Sequence, residues 1–225
     1  MAIKNTRGDR VFIFFNTVFM VILMVVTLYP MLYVAFASIS DPTSMIQHTG
    51  LLLYPLGFQL DGYKMVMDNP MILEGYRNTI IYVLIGTAIN LVMTCLGAYV
   101  LSRKKFGLKK VLTLAIIFTM FFNGGLIPTF LTVRDLGMYN SIWALVIPNA
   151  ISTYNLIIMR TSFMSIPETL EEAAIIDGAN DFVILFRVVI PLSMPVVAVM
   201  ILFYGVSHWN SWFNAMIYIR DRSLY

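Results

Sequence analysis

The chain reads as an all-α, polytopic helical membrane protein with five transmembrane helices, and three observations carry that reading. Hydrophobic residues make up 59% of it and charged residues only 12%, against roughly 25% charge in soluble domains, and its mean hydropathy is +0.81. Apolar runs long enough to cross a bilayer recur along it, each on the order of 20 residues. Its basic residues fall in short blocks between those runs, as topology signals do. The net charge of +3 is therefore no sign of a nucleic-acid partner, which would call for a basic stripe along one surface. The lone cysteine, Cys95, sits inside an apolar run and offers neither a disulfide framework nor metal-ligand spacing.

The first span, about residues 11–38, follows Lys4, Arg7 and Arg10. A cleaved signal peptide is the alternative, since Ala35, Phe36 and Ala37 have the small-x-small form of a cleavage site. The apolar run up to Tyr29 already exceeds the roughly 7–15 residues of a signal core, so a retained helix is the preferred reading. Between Ile39 and Glu74 the chain is punctuated by Pro42, Gly50, Pro55, Gly57, Gly62 and Pro70. Asp41, Asp61, Asp68 and Glu74 outnumber Lys64 there, which suits an outer loop. Within it, LDGYKMVMDNP suggests a short helix.

The second span, about 76–101, carries Asn78, Thr79, Asn90 and Thr94 and ends in the nine-residue loop Ser102–Lys110, with five basic residues and no acid. This loop is the strongest orientation marker, placing it and the N-terminus in the cytoplasm. The third span, about 111–133, contains Asn123, Gly124, Gly125 and Pro128. Either the helix continues through them with a distortion that lines a cavity, or it stops at Asn123 and the outer loop begins. The polar stretch Arg134 to Asn140 follows. The fourth span, about 141–159, is interrupted by Pro148, Asn149 and Asn155 and ends at Arg160; the fifth, about 192–217, follows Pro191.

Between the last two spans, residues 160–191 form a polar loop whose core is SIPETLEEAAIIDGAN. Ser165 and Glu168 have capping-box spacing, Pro167 suits a first turn, and Gly178 is placed as a C-terminal stop. A helix of about a dozen residues is too short and too charged to span lipid. Glu168 and Glu172 form a like-charge i, i+4 pair, which gives no local reason for the acids. Arg160 and Arg187 face Glu168, Glu171, Glu172, Asp177 and Asp181, an inversion of the usual cytoplasmic bias. Two readings stay open: a solvated surface helix, or a docking helix in which Ala173 and Ala174 permit close approach and the acids await a basic partner.

The spacing of Glu172, Ala173, Ala174, Asp177, Gly178 and Ala179, with Ile190, Pro191, Leu192 and Pro195 after them, resembles the EAA loop of membrane-spanning subunits of binding-protein-dependent ABC importers. Asn78 with Thr79, Ala98 with Tyr99, Ile166 with Pro167, and Trp209 with Asn210 are similar to the sugar-importing, maltose-type branch. Phe122 to Pro128, FNGGLIP, resembles the permeases of the subgroup for polysaccharide fragments. The resemblance covers essentially the whole chain. It implies a single transmembrane domain over residues 1–225 with the type I ABC importer permease fold. It also implies a second permease subunit, cytoplasmic ATPases that bind ATP and Mg, and an extracytoplasmic solute-binding protein. ATPase docking would fall to Glu171, Glu172, Ala173, Ala174, Asp177, Gly178 and Ala179, with Glu172 pairing a basic residue of the ATPase and Gly178 making the turn.

The fifth span holds Ser207, His208, Trp209, Asn210, Ser211, Trp212 and Asn214, too many polar groups for a lipid-facing helix. Trp209 has a face on which a sugar ring can stack, and Asn210 and Asn214 have amides for its hydroxyls. The alternative assigns the tryptophans to the interfacial belt and the amides to helix packing. Residues 220–225 read as an outer loop with no sixth span after it, whereas the family pattern has a final helix returning to the cytoplasm, so the sequence reads as truncated. The competing classes are an intramembrane enzyme and a passive scaffold. His48 and His208 lie in different segments, no H-E-x-x-H occurs, and Ser207 and Ser211 lack a nucleophile-elbow glycine pattern. The chain also lacks a nucleotide-binding glycine loop.

Overall fold

The computed structural model describes residues 7–104 and 106–221. Lys4, Lys105 and residues 222–225, which entered the charge and end-of-chain readings above, lie outside the described residues. The described residues form helices and connecting turns, with one isolated bridge between Ser40 and Phe58. The chain divides into two compact units, the first ending at Ile72 and the second starting at Leu73.

In the first unit, α1 (Arg7–Ser38) is apolar on every side, and its most apolar window holds no buried residue. A helix hydrophobic all round belongs in a protein core or a membrane, and the exposure of α1 within the chain points to the membrane. The segment after it is ordered by polar clips rather than by a core. Asp41 caps α2 (Pro42–Gln47), its carboxylate accepting from the Ser44 amide at 2.8 Å and the Ser44 hydroxyl at 2.9 Å. Those bonds hold the Asp41 carboxyl below its ordinary value. The Leu52 amide donates to the Tyr29 hydroxyl at 3.0 Å and the Leu56 amide to Ser40 Oγ at 2.9 Å. The short helix suggested by LDGYKMVMDNP is α3 (Asp61–Met67).

The second unit is built on α4 (Pro70–Ser102), which begins six residues before the apolar run at Tyr76 because Pro70 fits a first turn and Asn69 Oδ1 accepts the Met71 amide at 3.1 Å. Its buried residues include Tyr82, Gly86, Asn90, Thr94, Ala98 and Ser102. They recur every fourth position, a ridge of mostly small and polar side chains of the kind that packs membrane helices closely. Both α1 and α4 are long and apolar enough to cross a membrane.

The remaining apolar runs are broken. Helix α5 (Lys109–Phe121) and α6 (Leu126–Asp135) meet at 115°, so the run is not one distorted helix to 133 but two helices broken at residues 122–125. Gly125 takes φ +85°, and its amide is held by Asn123 Oδ1 at 2.9 Å. The run from Ser141 divides into α7 (Trp143–Val146) and α8 (Thr153–Met164), with Pro148 between them and Ser152 capping α8. Next come α9 (Glu168–Ile176) and α10 (Asp181–Ile184), then a π-helical turn at Leu185–Val189, α11 (Ile190–Leu192) and α12 (Met194–Trp209). Pro191 has no N–H to close a helical bond, and the chain bends by 88° into α12. Helix α12 stops at Asn210, and α13 (Trp212–Tyr218) completes the run that the sequence suggested as one helix to 217.

Two buried clusters organise this unit. One joins Tyr99 and Leu101 of α4, Met159 and Phe163 of α8, Ile184 and Val189, and Met200 of α12. The other joins Tyr82, Val133, Leu145, Tyr218 and Ile219. Asn140 clips the second together. At φ +59° it donates its amide to the Tyr218 carbonyl at 2.9 Å, while its Oδ1 accepts the Arg220 and Asp221 amides, both at 2.8 Å.

Candidate coupling helix and polar cavity

Helix α9 is the acidic segment; its N-terminus differs from the expected capping box, while its stop at Gly178 is as expected. Ser165 is the C-cap of α8, and its Oγ donates back to the Ser162 carbonyl at 2.7 Å. It is therefore spent on the preceding helix, and Pro167 becomes the N-cap of α9 with no side-chain hydrogen bond. The C-terminal stop is a complete Schellman motif. Gly178, at φ +82°, donates to the Ile175 carbonyl at 3.0 Å, and the Ala179 amide reaches the Ala174 carbonyl at 2.9 Å. Ala174 and Ala179 pack together against the buried cluster of α4, α8 and α12.

The acids acquire a reason. Lys104 Nζ meets Glu168 Oε2 at 2.9 Å, and Arg103 pairs with Glu171, their side chains only 20% and 14% exposed. The Arg103 guanidinium lies 4.5 Å over the Tyr99 ring and donates to Ser102 Oγ at 2.9 and 3.1 Å. Tyr99 in turn donates to Asp181 Oδ1 at 3.3 Å. Burial pushes Arg103 below its ordinary pKa, and Tyr99, Glu168 and Asp181 oppose that shift; a guanidinium stays charged throughout. Thus Glu171 is turned inward and spent within the chain, and Ala174 and Ala179 face the bundle. Glu172, Ala173, Asp177 and Gly178 are exposed, and Ile176 is 85% exposed. Glu172 and Asp177 make no ion pair with another described residue.

A second feature lies where two interrupted helical runs meet α4. A cavity of about 610 Å³ is lined by Asn90, Asn149, Ser152, Asn155, Tyr204, Ser207, His208, Asn210, Ser211 and Asn214, with Leu145, Ile151, Phe203 and Phe213 as its apolar part. Irregular backbone at membrane depth is tolerated where it lines such a space. The breaks at Asn149 to Ser152 and at Asn210 with Ser211 both do so. Asn90 holds the wall together: its Nδ2 donates to the Asn149 carbonyl at 2.6 Å, and its Oδ1 lies 2.8 Å from His208 Nε2. Thr94 and Tyr204 share a hydrogen bond of 2.6 Å, and the Ser152 amide donates to the Tyr204 hydroxyl at 3.3 Å. Gly86 lets His208 approach α4, since a Cβ there would lie 2.5 Å from Nε2.

Asn210 and Asn214 line this cavity. Trp209 does not; it is 52% exposed and its ring sits 6.4 Å from that of Tyr76. Position in sequence does not reveal which face of α12 a residue occupies where nearly every residue is apolar. Asn90, Thr94 and Asn155 stood in the sequence only as polar residues in apolar runs, a signal that leaves their partners unnamed.

Residues 96–213 match the family of binding-protein-dependent transport system inner membrane components. The chain is 38% identical to protein LplC of Bacillus subtilis (strain 168) over 220 residues, 98% of this chain and 74% of that one. It is also 38% identical, over 203 residues, to the polygalacturonan/rhamnogalacturonan transport system permease protein YtcP of the same organism, covering 90% of this chain and 71% of the relative. Its fold matches a chain in the crystal structure of a bacterial ABC transporter involved in the import of the acidic polysaccharide alginate, with a TM-score of 0.94 and 36% identity over 99% of this chain and 79% of that one. The family-matched region contains α9 and every residue of the cavity lining except Asn90 and Asn214. The chain is therefore a membrane protein that belongs to the inner-membrane component family of binding-protein-dependent transport systems, a permease subunit and not itself an enzyme.

Proposed function

We propose that this permease subunit forms one wall of the pathway for a sugar or oligosaccharide and takes its driving motion from a cytoplasmic ATPase docked on α9. The observation that carries the reading is the two-sided character of α9. One side is tied inward by Glu168, Glu171 and Ala174, while Glu172, Ala173, Ile176 and Asp177 are left exposed within the family-matched region. A helix held rigidly on one side and offered on the other can pass a rigid-body motion inward. ATP and Mg would be held by the ATPase, and Glu172 would face a basic residue of its docking cleft.

The solute class rests on the cavity. Its polar lining consists of amides, hydroxyls and one imidazole, with no Asp, Glu, Lys or Arg, and such groups pair with sugar hydroxyls. YtcP and the alginate importer are carbohydrate transporters by name. A second permease subunit would supply the facing wall, an extracytoplasmic solute-binding protein would deliver the sugar, and lipid would cover α1. In this reading residues 1–225 act as a single transmembrane domain in the cell membrane of a bacterium, with spans at about 11–38, 76–101, 111–133, 141–159 and 192–217. Residues 160–191 form the cytoplasmic coupling loop, on the same side as the N-terminus.

The test is co-expression with a partner permease, an ABC ATPase and a solute-binding protein from the same organism, followed by detergent purification and uptake into proteoliposomes. An ATPase that co-purifies, with ATP-dependent uptake of an oligosaccharide, is the expected result. A complex without ATPase, or uptake of amino acids or ions in place of sugars, would overturn it.

A further inference from the structure

The loop after α4 does more than mark topology. Arg103 and Lys104 bring the end of α4 onto α9, although Lys104 and Glu168 are 64 positions apart. The same end is tied to α8, where Arg160 Nε donates to the Leu101 carbonyl at 3.0 Å, and to α10 through Tyr99 and Asp181 at 3.3 Å. Among these links the Arg103–Glu171 pair is the shielded one. Its side chains are 20% and 14% exposed, against 75% and 51% for Lys104 and Glu168. An exposed pair contributes little and yields to solvent, whereas separating a shielded pair strands two charges. Further along the same ridge of α4 stand Thr94 and Asn90, the residues that hold the cavity wall. At 1.5 Å per residue, Asn90 lies about 20 Å from Arg103 along the helix.

We propose that Arg103 and Glu171 form a strut that makes α4 move with α9, so that displacement of the coupling helix reaches the cavity through α4 as well as through α8 and α10. The proposal rests on the reading of α9 as the ATPase-docking helix. In this proposal Arg103 is a positioning residue that acts through Glu171. Without the strut, α9 would still be carried by its chain neighbours, and hydrolysis would continue while α4 lagged behind. The signature of its loss is therefore a fall in solute imported per ATP hydrolysed, not a fall in hydrolysis.

The experiment compares Arg103→Glu, Glu171→Arg and the Arg103→Glu/Glu171→Arg double variant in the reconstituted complex, measuring bound ATPase, hydrolysis rate and uptake. Arg103→Glu should keep its ATPase and lose about tenfold in uptake per ATP, and the double variant should recover most of it. A merely structural role would lower hydrolysis and uptake together and leave the ratio unchanged. Should Arg103→Glu fold poorly, Arg103→Gln removes the pair without a like-charge clash and should lower uptake per ATP in the same way while hydrolysis holds. Wild-type ratios in the single variants, or a double variant no better than either, would overturn the strut. Loss of the ATPase from the single variants would also overturn it, because the pair would then serve docking. The docking reading fails on a different result, wild-type chain purified without any ATPase.

Discussion

Replacing Gly178 with valine isolates the backbone contribution of the turn after α9. Nothing lies within 4 Å of a Cβ built there, so the Cβ meets no obstacle within the chain and the main cost is conformational. At φ +82° an L-residue costs about 1–2 kcal/mol, with a β-branched residue at the upper end. The chain can escape that strain only by unwinding the stop, which gives up the Gly178 and Ala179 amide bonds of 3.0 and 2.9 Å, each of about 0.5–1.5 kcal/mol. Either route costs about 2 kcal/mol, which shifts the ratio of stopped to frayed helix by roughly thirtyfold. Hydrogen exchange should accordingly rise at the Gly178 and Ala179 amides, and ATP-coupled uptake should fall while membrane content holds. Gly178→Asn is the control, since asparagine tolerates this backbone region. Valine and asparagine variants that transport and exchange alike would refute the reasoning.

Glu172→Lys reverses the exposed charge of α9 without touching its internal ion pairs, and should reduce co-purifying ATPase and uptake together while the chain still inserts. Gly86→Ala should drive the His208 ring out of place and break its bond to Asn90, costing about 1–3 kcal/mol in a thermal unfolding assay in detergent; adding His208→Ala should restore part of it. Tyr204→Phe should cost about 1–3 kcal/mol, because Thr94 and the Ser152 amide lose their shared partner. Combining it with Thr94→Val should cost less than the sum of the two single changes.

What could be read from the sequence followed from local rules. Gly178 as a stop, α9 as a short non-spanning helix and the all-α membrane class needed only spacing and composition. The capping box failed because α8 runs on to Met164, and Ser165 satisfies that helix before α9 begins. The partners of Glu168 and Glu171 were hidden because they depend on how α4 packs against α8, and the bond between His208 and Asn90 spans 118 positions. Trp209 was the natural choice for a stacking platform by residue type, yet the helix rotation that turns it toward Tyr76 is not encoded in its immediate neighbours. The broken runs were visible as Pro148, Asn149 and the glycines at 124 and 125. Their consequence, a polar cavity at the breaks, required the fold.

Site-directed crosslinking from α9 tests the central claim most directly. Ile176→Cys and Glu172→Cys, each carrying a short bifunctional reagent in the assembled complex, should capture the ATPase subunit, and Trp212→Cys on α13, 70% exposed, should not. Capture by all three positions equally, or by Trp212→Cys alone, would contradict α9 as the place where force enters this permease.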